Sequence, residues 1–254
     1  MKITILGTGT SSGVPVLTCK CDVCQSLNAK DKRLRVSVLI QTDDLNVVID
    51  AGPDFRQQLL GTDIEKLDAL IFTHEHKDHT AGLDDVRPFN YMKGPKYLNI
   101  FGRKSVLDQL KREFHYAFTE QSYPGVPLIK TKEITNKPFD IEGVCFTPIE
   151  VMHHKLPVFG FRVKDFTYIT DANYISDQEK EKAKGTKVLV LDALQKTPHI
   201  SHFTLEQAIG LATEIGAEQT YFTHISHKMG LHDEVNRELP EGMALAYDGM
   251  SFIL

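Results

Sequence analysis

Positive charge is in short supply in this 254-residue chain: 29 lysines and arginines face 34 aspartates and glutamates, a formal net charge of -5. RNA or DNA would be met by clustered Lys and Arg. Long nucleic acid is therefore not the expected partner, and an RNA-processing role is weakened. Long apolar runs are missing too. None reaches the roughly 20 residues needed to span a bilayer, and the opening Met1-Lys2-Ile3-Thr4-Ile5-Leu6-Gly7 meets glycine too early to supply the core of a signal peptide. A cytoplasmic protein with no membrane contact is expected. Pro/Gly/Ser-rich linkers, low-complexity tracts and solenoid-period repeats are likewise absent, so one domain over residues 1–254 is expected. Cysteine is scarce, with four residues in all. Three crowd into Cys19-Lys20-Cys21-Asp22-Val23-Cys24, and Cys145 lies in an apolar, strand-like context. In a reducing compartment such clustering points to metal ligation rather than disulfides.

Against these absences stands one dense segment, Thr73-His74-Glu75-His76-Lys77-Asp78-His79. Imidazole and carboxylate are the usual ligands of zinc and related divalent ions, and His-x-His-x-Asp-His sets two pairs of ligands in one tight turn. That is enough to start two adjacent sites and predicts a binuclear hydrolase. The apolar run before it, Ala69 to Phe72, reads as a buried strand, so the histidines fall at a strand's carboxyl end, where loops carry chemistry. Behind it, Ala81-Gly82-Leu83 allows a helix to pack close to the turn.

Further strand-like runs are expected at Ile3 to Leu6, Val36 to Gln41, Asn46 to Ile49, Leu98 to Phe101, Val144 to Glu150, Gly160 to Val163, Phe166 to Ile169, Lys187 to Leu191, Gln219 to Thr223 and Met250 to Leu254. Helical patterns cover Lys104 to Glu113, Ser176 to Lys184 and Thr204 to Glu214, the last with Thr204 as a candidate N-cap. Many strands and fewer helices in two similar halves predict an α/β (α+β) fold of two mixed sheets faced by helices, a four-layer αββα sandwich. Ligand-type residues recur at strand ends: His153 and His154, Asp171, then His224 and His227. Each histidine alone would more often be structural, but together with the first motif they supply the missing ligands. The glycine-rich stretch Gly7 to Gly13 lacks the Lys-Ser/Thr ending of a P-loop and reads as a structural turn sooner than a phosphate cradle. Arg87 either reaches a substrate phosphate or makes a surface salt bridge. His115, His154, His199 and His232 carry no assignment.

These residues resemble the metallo-β-lactamase superfamily, whose signature matches His74 to His79 without a gap. The Gly7-Thr8-Gly9-Thr10 stretch, Ile49-Asp50-Ala51-Gly52, His153, Asp171 and His224 follow the family's order along the whole chain. The resemblance implies that His74, His76 and His153 hold one metal and Asp78, His79 and His224 a second, with Asp171 bridging. It also implies that Asp50 supports a ligand histidine. The Cys-x-Cys-x-x-Cys spacing and Thr223-His224-Ile225-Ser226-His227 are similar to the phosphoribosyl cyclic phosphodiesterases of the carbon-phosphorus lyase pathway. In that group the matching Cys19, Cys21, Cys24 and His227 would bind one structural Zn. The pyrroloquinoline quinone biosynthesis protein B shares the cysteine pattern but lacks an intact catalytic signature.

In Ser201-His202-Phe203-Thr204 the His-x-Thr is similar to the general-acid motif of the RNase Z and cyclic phosphodiesterase branches, with Asp192 positioned to orient His202. By this likeness His202, Asp192 and Asp78 are the candidate catalytic residues. The expected activity is a metal-dependent phosphodiesterase with two divalent ions, Mn or Zn, acting on a small, cyclic ribose or nucleotide phosphodiester. RNase Z-like RNA cleavage and thioester or lactone hydrolysis are the alternatives, and a metal-stabilised binding protein is the non-enzyme reading. A homodimer is what the resemblance implies.

Overall fold

The computed structural model describes residues 1–119 and 124–254. Its strands are β1 (Lys2–Gly7), β2 (Ser37–Gln41), β3 (Asn46–Ile49), β4 (Ala69–Ile71), β5 (Leu98–Gly102), β6 (Ile129–Glu133), β7 (Phe139–Ile141), β8 (Val144–His153), β9 (Leu156–Val163), β10 (Phe166–Ile169), β11 (Tyr174–Ile175), β12 (Val188–Asp192), β13 (Gln219–Thr223), β14 (Met243–Leu245) and β15 (Ser251–Ile253). The helices are α1 (Asp22–Gln25), α2 (Phe55–Leu60), α3 (Lys77–Thr80), α4 (Arg87–Tyr91), α5 (Lys104–Glu113), α6 (Asp177–Ala183), α7 (Leu205–Ile215) and α8 (His232–Glu238).

Two sheets form, in the orders β15-β1-β2-β3-β4-β5-β6 and β11-β8-β9-β10-β12-β13-β14, with β7 paired to β8. Their facing sides bury one core that includes Ile3, Ile5, Val38, Val47, Phe146, Phe161 and Tyr168. Because side chains alternate along a strand, the other faces carry a second set. Leu39, Val48 and Leu70 pack against Phe55, Val86 and Leu107 of the helical layer. On the second sheet Ile149, Leu189, Leu191 and Phe222 meet Leu205, Ala208, Leu211 and Ile215 of α7. Strands buried on both faces are apolar throughout, which is why β3 and β12 read as continuous runs. The expected αββα layering is observed.

Helix α7 starts as its sequence predicts. The Thr204 hydroxyl accepts from the Gln207 N–H while the Gln207 side chain accepts from the Thr204 N–H, and Gly216 closes the helix at φ 74°. That is a capping box followed by a left-handed C-cap. Short α2, α3, α4 and α8, and the charged edge strand β6, were not anticipated: a helix of one or two turns shows no period, and Ile129-Lys130-Thr131-Lys132-Glu133 has too little apolar content to read as a strand. Cys145 differs from its apolar context. It points outward and is exposed, between the inward Val144 and Phe146.

The strands β3, β4, β5 and β6 run parallel, as do β10, β12, β13 and β14. Parallel strands bring their carboxyl ends, and the loops that follow, to one edge. Two glycines draw the first of these loops together. A Cβ on Gly52 would lie 1.9 Å from the Asp78 carbonyl oxygen, and one on Gly82 would lie 2.2 Å from that of Gly52.

Candidate metal centre

Strand β4 ends at Ile71, and the chain turns through Thr73 and His74 into α3 with His76 at its N-cap. The turn hangs on Asp50, which is fully buried at the end of β3. Its carboxylate accepts from the Thr73 N–H at 2.9 Å, the Thr73 hydroxyl at 2.8 Å and His79 Nδ1 at 2.7 Å. Since a carboxylate only accepts, His79 carries a proton on Nδ1 and turns Nε2 toward Asp78 and Asp171; against burial, Asp171, Asp50 and Asp78 raise its pKa. The same logic runs through His74, whose Nδ1 lies 3.0 Å from the Thr73 hydroxyl that donates to Asp50. Burial pushes the Asp50 carboxyl up against the His79 and Thr73 interactions.

Three site residues adopt left-handed backbone: Asp50 (φ 64°), Asp171 (φ 52°) and His224 (φ 58°). Such a conformation costs a non-glycine residue about 1–3 kcal/mol. All three stand just past the ends of β3, β10 and β13, where the kink aims a polar side chain across the edge.

Two groups of side chains converge there. His74, His76 and His153 form one, and Asp78, His79, Asp171 and His224 the other, each with its ligand atoms within 4.8 Å of one another. His79 Nε2 lies 3.3 Å from Asp78 Oδ2 and 3.2 Å from Asp171 Oδ2, and His224 Nε2 lies 3.2 Å from Asp171 Oδ1. The His74 and His76 rings are 4.5 Å apart, and the His76 and His153 rings 5.2 Å. His153 donates from Nδ1 to the Ser201 carbonyl at 2.9 Å, which again turns Nε2 inward. Among the described residues, Nε2 of His74, His79 and His224 is buried and makes no hydrogen bond. Buried polar atoms are normally satisfied, and here the orphans are imidazole nitrogens that face carboxylates and offer lone pairs once deprotonated. A divalent cation fits that set.

Against this cluster stands His202. Its ring stacks on His224 at 4.5 Å and meets His153 at 4.6 Å, and its Nδ1 lies 3.3 Å from Asp192 Oδ1. The other Asp192 oxygen accepts from the backbone N–H groups of Ala172 and Phe203. Burial disfavours the imidazolium, but the Asp192 carboxylate outweighs it and raises the His202 pKa.

The Cys19, Cys21 and Cys24 sulfurs lie 3.2, 3.4 and 3.6 Å from His227 Nδ1. A tetrahedral zinc with Zn–S of about 2.3 Å and Zn–N of about 2.0 Å would separate S and N by roughly 3.5 Å. The set therefore has the size of a closed structural zinc site. The Cys24 backbone N–H and the His227 side chain bring the Cys21 thiol down to about 6, whereas burial pushes Cys24 up to about 11.

Other sequence candidates fall elsewhere. Arg87 pairs with Asp84, which also accepts from the Tyr116 hydroxyl, so its guanidinium is engaged in a local salt bridge. The Gly7 to Gly13 stretch is held by backbone: Gly9 bridges both Arg35 and Ile225, and a Gly7 Cβ would lie 2.0 Å from the Arg35 carbonyl. His115 and His154 are exposed. His232 belongs to a cluster that sequence reasoning missed. Buried Arg33 donates to Thr8 Oγ1 (2.8 Å) and the Ala246 carbonyl (2.7 Å) and meets His232 Nδ1 at 3.1 Å, while Thr8 donates to Asp248.

The profile described as beta-lactamase superfamily domain matches residues 45–225. The chain belongs to the metallo-β-lactamase superfamily. Among solved structures, a diphosphatase described as a member of the PhnP family superposes with a TM-score of 0.93 at 38% identity, covering 100% of this chain and 97% of that one. Zn²⁺-bound PqqB from Methylobacterium extorquens gives a TM-score of 0.81 at 19% identity with 100% of both chains covered, a likeness of fold alone. An octanoyltransferase from Porphyromonas gingivalis is 38% identical over 257 residues, 100% of this chain but 52% of that protein. The chain thus spans about half the length of that relative. Superfamily and diphosphatase likeness together support a metal-dependent hydrolase. No helix among the described residues is long and apolar enough to cross a membrane.

Proposed function

We propose that residues 1–254 form one hydrolase domain that opens a small phosphodiester, the favoured class being a cyclic ribose or nucleotide phosphate. One observation carries the reading: the buried Nε2 atoms of His74, His79 and His224, without a hydrogen-bond partner among the described residues, converge with Asp78 and Asp171 beside the His202–Asp192 pair. In this reading His74, His76 and His153 would hold one Mn or Zn ion and Asp78, His79 and His224 a second, with Asp171 as the shared ligand. Cys19, Cys21, Cys24 and His227 hold a structural zinc. When bound, the ion pair supplies an activated water and Lewis-acid stabilisation of a phosphoryl oxygen.

The chain's own groups do the rest. Asp50 and the Ser201 carbonyl fix the tautomers of His79 and His153, so both rings present Nε2 to the cluster. Asp192, pinned by two backbone N–H groups, orients His202 and favours its protonated form. His202 donates that proton to the leaving alkoxide as the P–O bond breaks. The stacked His224 ring and the edge-on His153 ring hold it beside the reacting centre.

A second reading, hydrolysis of an acyl thioester, draws on the octanoyltransferase likeness. The proton donor argues against it, because a thiolate of pKa near 8.5 leaves without a proton whereas a sugar alkoxide does not. The test is phosphorus NMR of the Mn²⁺-supplemented protein with ribose 1,2-cyclic phosphate 5-phosphate, 2′,3′- and 3′,5′-cyclic nucleotides, a pyrophosphate-linked dinucleotide and a short RNA, alongside a thiol-release assay on an octanoyl thioester. Rapid opening of one cyclic phosphate supports the reading. Turnover of the thioester alone overturns it.

A further inference from the structure

The segment between β12 and α7 is a strap tied down at both ends and in the middle. Its ends meet through the Gln195–Thr204 bridge and the hydrogen bond from the Leu194 N–H to the Phe203 carbonyl. In its middle the Ile200 carbonyl accepts from Asn173 Nδ2 at 3.0 Å, and the Ser201 carbonyl accepts from His153 at 2.9 Å. The strap's backbone is therefore fixed by groups on either side of His199, whose own side chain is exposed and packs into no core.

The His199 ring nevertheless has a defined place and a defined proton. It lies 5.2 Å from the His202 ring, and its Nδ1 is met by the Ser201 backbone N–H at 3.4 Å and the Ser201 hydroxyl at 3.3 Å. A backbone N–H only donates, so Nδ1 accepts and the ring proton sits on Nε2. That N–H makes no hydrogen bond among the described residues. An oriented, exposed donor thus stands beside His202, while buried His224 stacks on the same ring.

We propose that His199 binds the leaving-group side of the substrate, its Nε2–H donating to an oxygen next to the bond that breaks. The inference rests on the phosphodiesterase reading, in which His202 protonates the leaving oxygen. Whatever carries that oxygen must then lie against His202, and His199 is the exposed ring beside it. A donor there selects a leaving alcohol that bears a neighbouring hydroxyl or ether oxygen, a sugar or other polyol, over a plain aryl or alkyl alcohol. His199 is in this account a specificity-determining residue.

The test compares His199→Ala and His199→Gln with the wild type, each Mn²⁺-supplemented, on 2′,3′-cyclic AMP and on bis(p-nitrophenyl) phosphate, whose leaving group carries no neighbouring oxygen. Thermal unfolding and metal content of the variants should match the wild type. For His199→Ala we expect kcat/KM on the cyclic nucleotide to fall about tenfold, as for one lost hydrogen bond, mainly through KM. The aryl diester should be hydrolysed within twofold of the wild-type rate, and His199→Gln, which keeps a donor, should recover most of the loss. Equal losses on both substrates would mean that His199 only shapes the strap, and no loss on either would mean that it touches no substrate; both overturn the proposal. Calorimetry with ribose 5-phosphate separates the two readings. Sugar binding that weakens in His199→Ala, in a wild-type protein that opens no diester, would overturn the phosphodiesterase and leave the polyol subsite standing.

Discussion

Replacing Asp50 by Asn keeps the shape of the residue on which the signature turn hangs and changes only its hydrogen-bonding sense. The carboxylate accepts three hydrogen bonds, at 2.9, 2.8 and 2.7 Å, in a fully buried position. An amide accepts through one oxygen and donates through its nitrogen. If Oδ1 keeps the Thr73 N–H, Nδ2 faces His79, and the imidazole must accept on Nδ1 and move its proton to Nε2. In metal-free protein that proton finds Asp78 and Asp171 at 3.3 and 3.2 Å, so the apo fold should lose no more than about 1–2 kcal/mol. Metal binding should suffer far more, because the lone pair has left the inward nitrogen. Loss of such an outer partner typically weakens affinity about 10–100-fold. Asp50→Ala is the contrast: it strands three buried donors, each worth about 1–3 kcal/mol, and should destabilise the apo protein by about 3–9 kcal/mol. Chelator-competition titrations and urea unfolding of chelator-treated protein measure the two effects. Wild-type metal affinity in Asp50→Asn, or equal apo destabilisation by Asn and Ala, would refute the tautomer argument.

For His202→Ala, metal content should be unchanged while turnover falls by about 10²–10⁴-fold, as read by elemental analysis beside steady-state kinetics. Cys21→Ser should release one zinc and lower the melting temperature, with activity per folded molecule retained; loss of activity with zinc still bound would contradict this. The pH dependence of stability should carry a mark of His232. Burial and the neighbouring Arg33 bring its pKa down to about 4 from 6.5. A depressed histidine is neutral in the fold, so its contribution is complete above pH 6.5 and is lost as pH falls toward 4. Wild-type stability should decline more steeply across that window than that of His232→Gln, and parallel curves would speak against it.

The layering and the cluster were legible because both are written in local patterns. Apolar runs such as Asn46 to Ile49 and Val188 to Leu191 mark strands buried on both faces, and ligand-type residues follow several of them directly. His74 to His79, Asp171 and His224 follow parallel strands that end together at one edge, and His153, at the end of antiparallel β8, reaches the same cluster. What stayed hidden has no local signature. Arg33, Thr8, Asp248 and His232 meet from distant points of the chain, and nothing in their immediate neighbours predicts it. The left-handed backbone at Asp50, Asp171 and His224 is imposed by tertiary structure on residues with no intrinsic need of it. Helix α2 was missed because six residues show too little of a period, although Gly52 and Gly82 around it proved to be points of backbone contact.

Element-specific anomalous diffraction from crystals grown with Mn²⁺ tests the central claim most directly. Two manganese peaks about 3.5–4 Å apart are predicted, one among His74, His76 and His153 and the other among Asp78, His79 and His224, with Asp171 between them. A single peak, or none, at this edge of the sandwich would contradict the paired centre on which the hydrolase account depends.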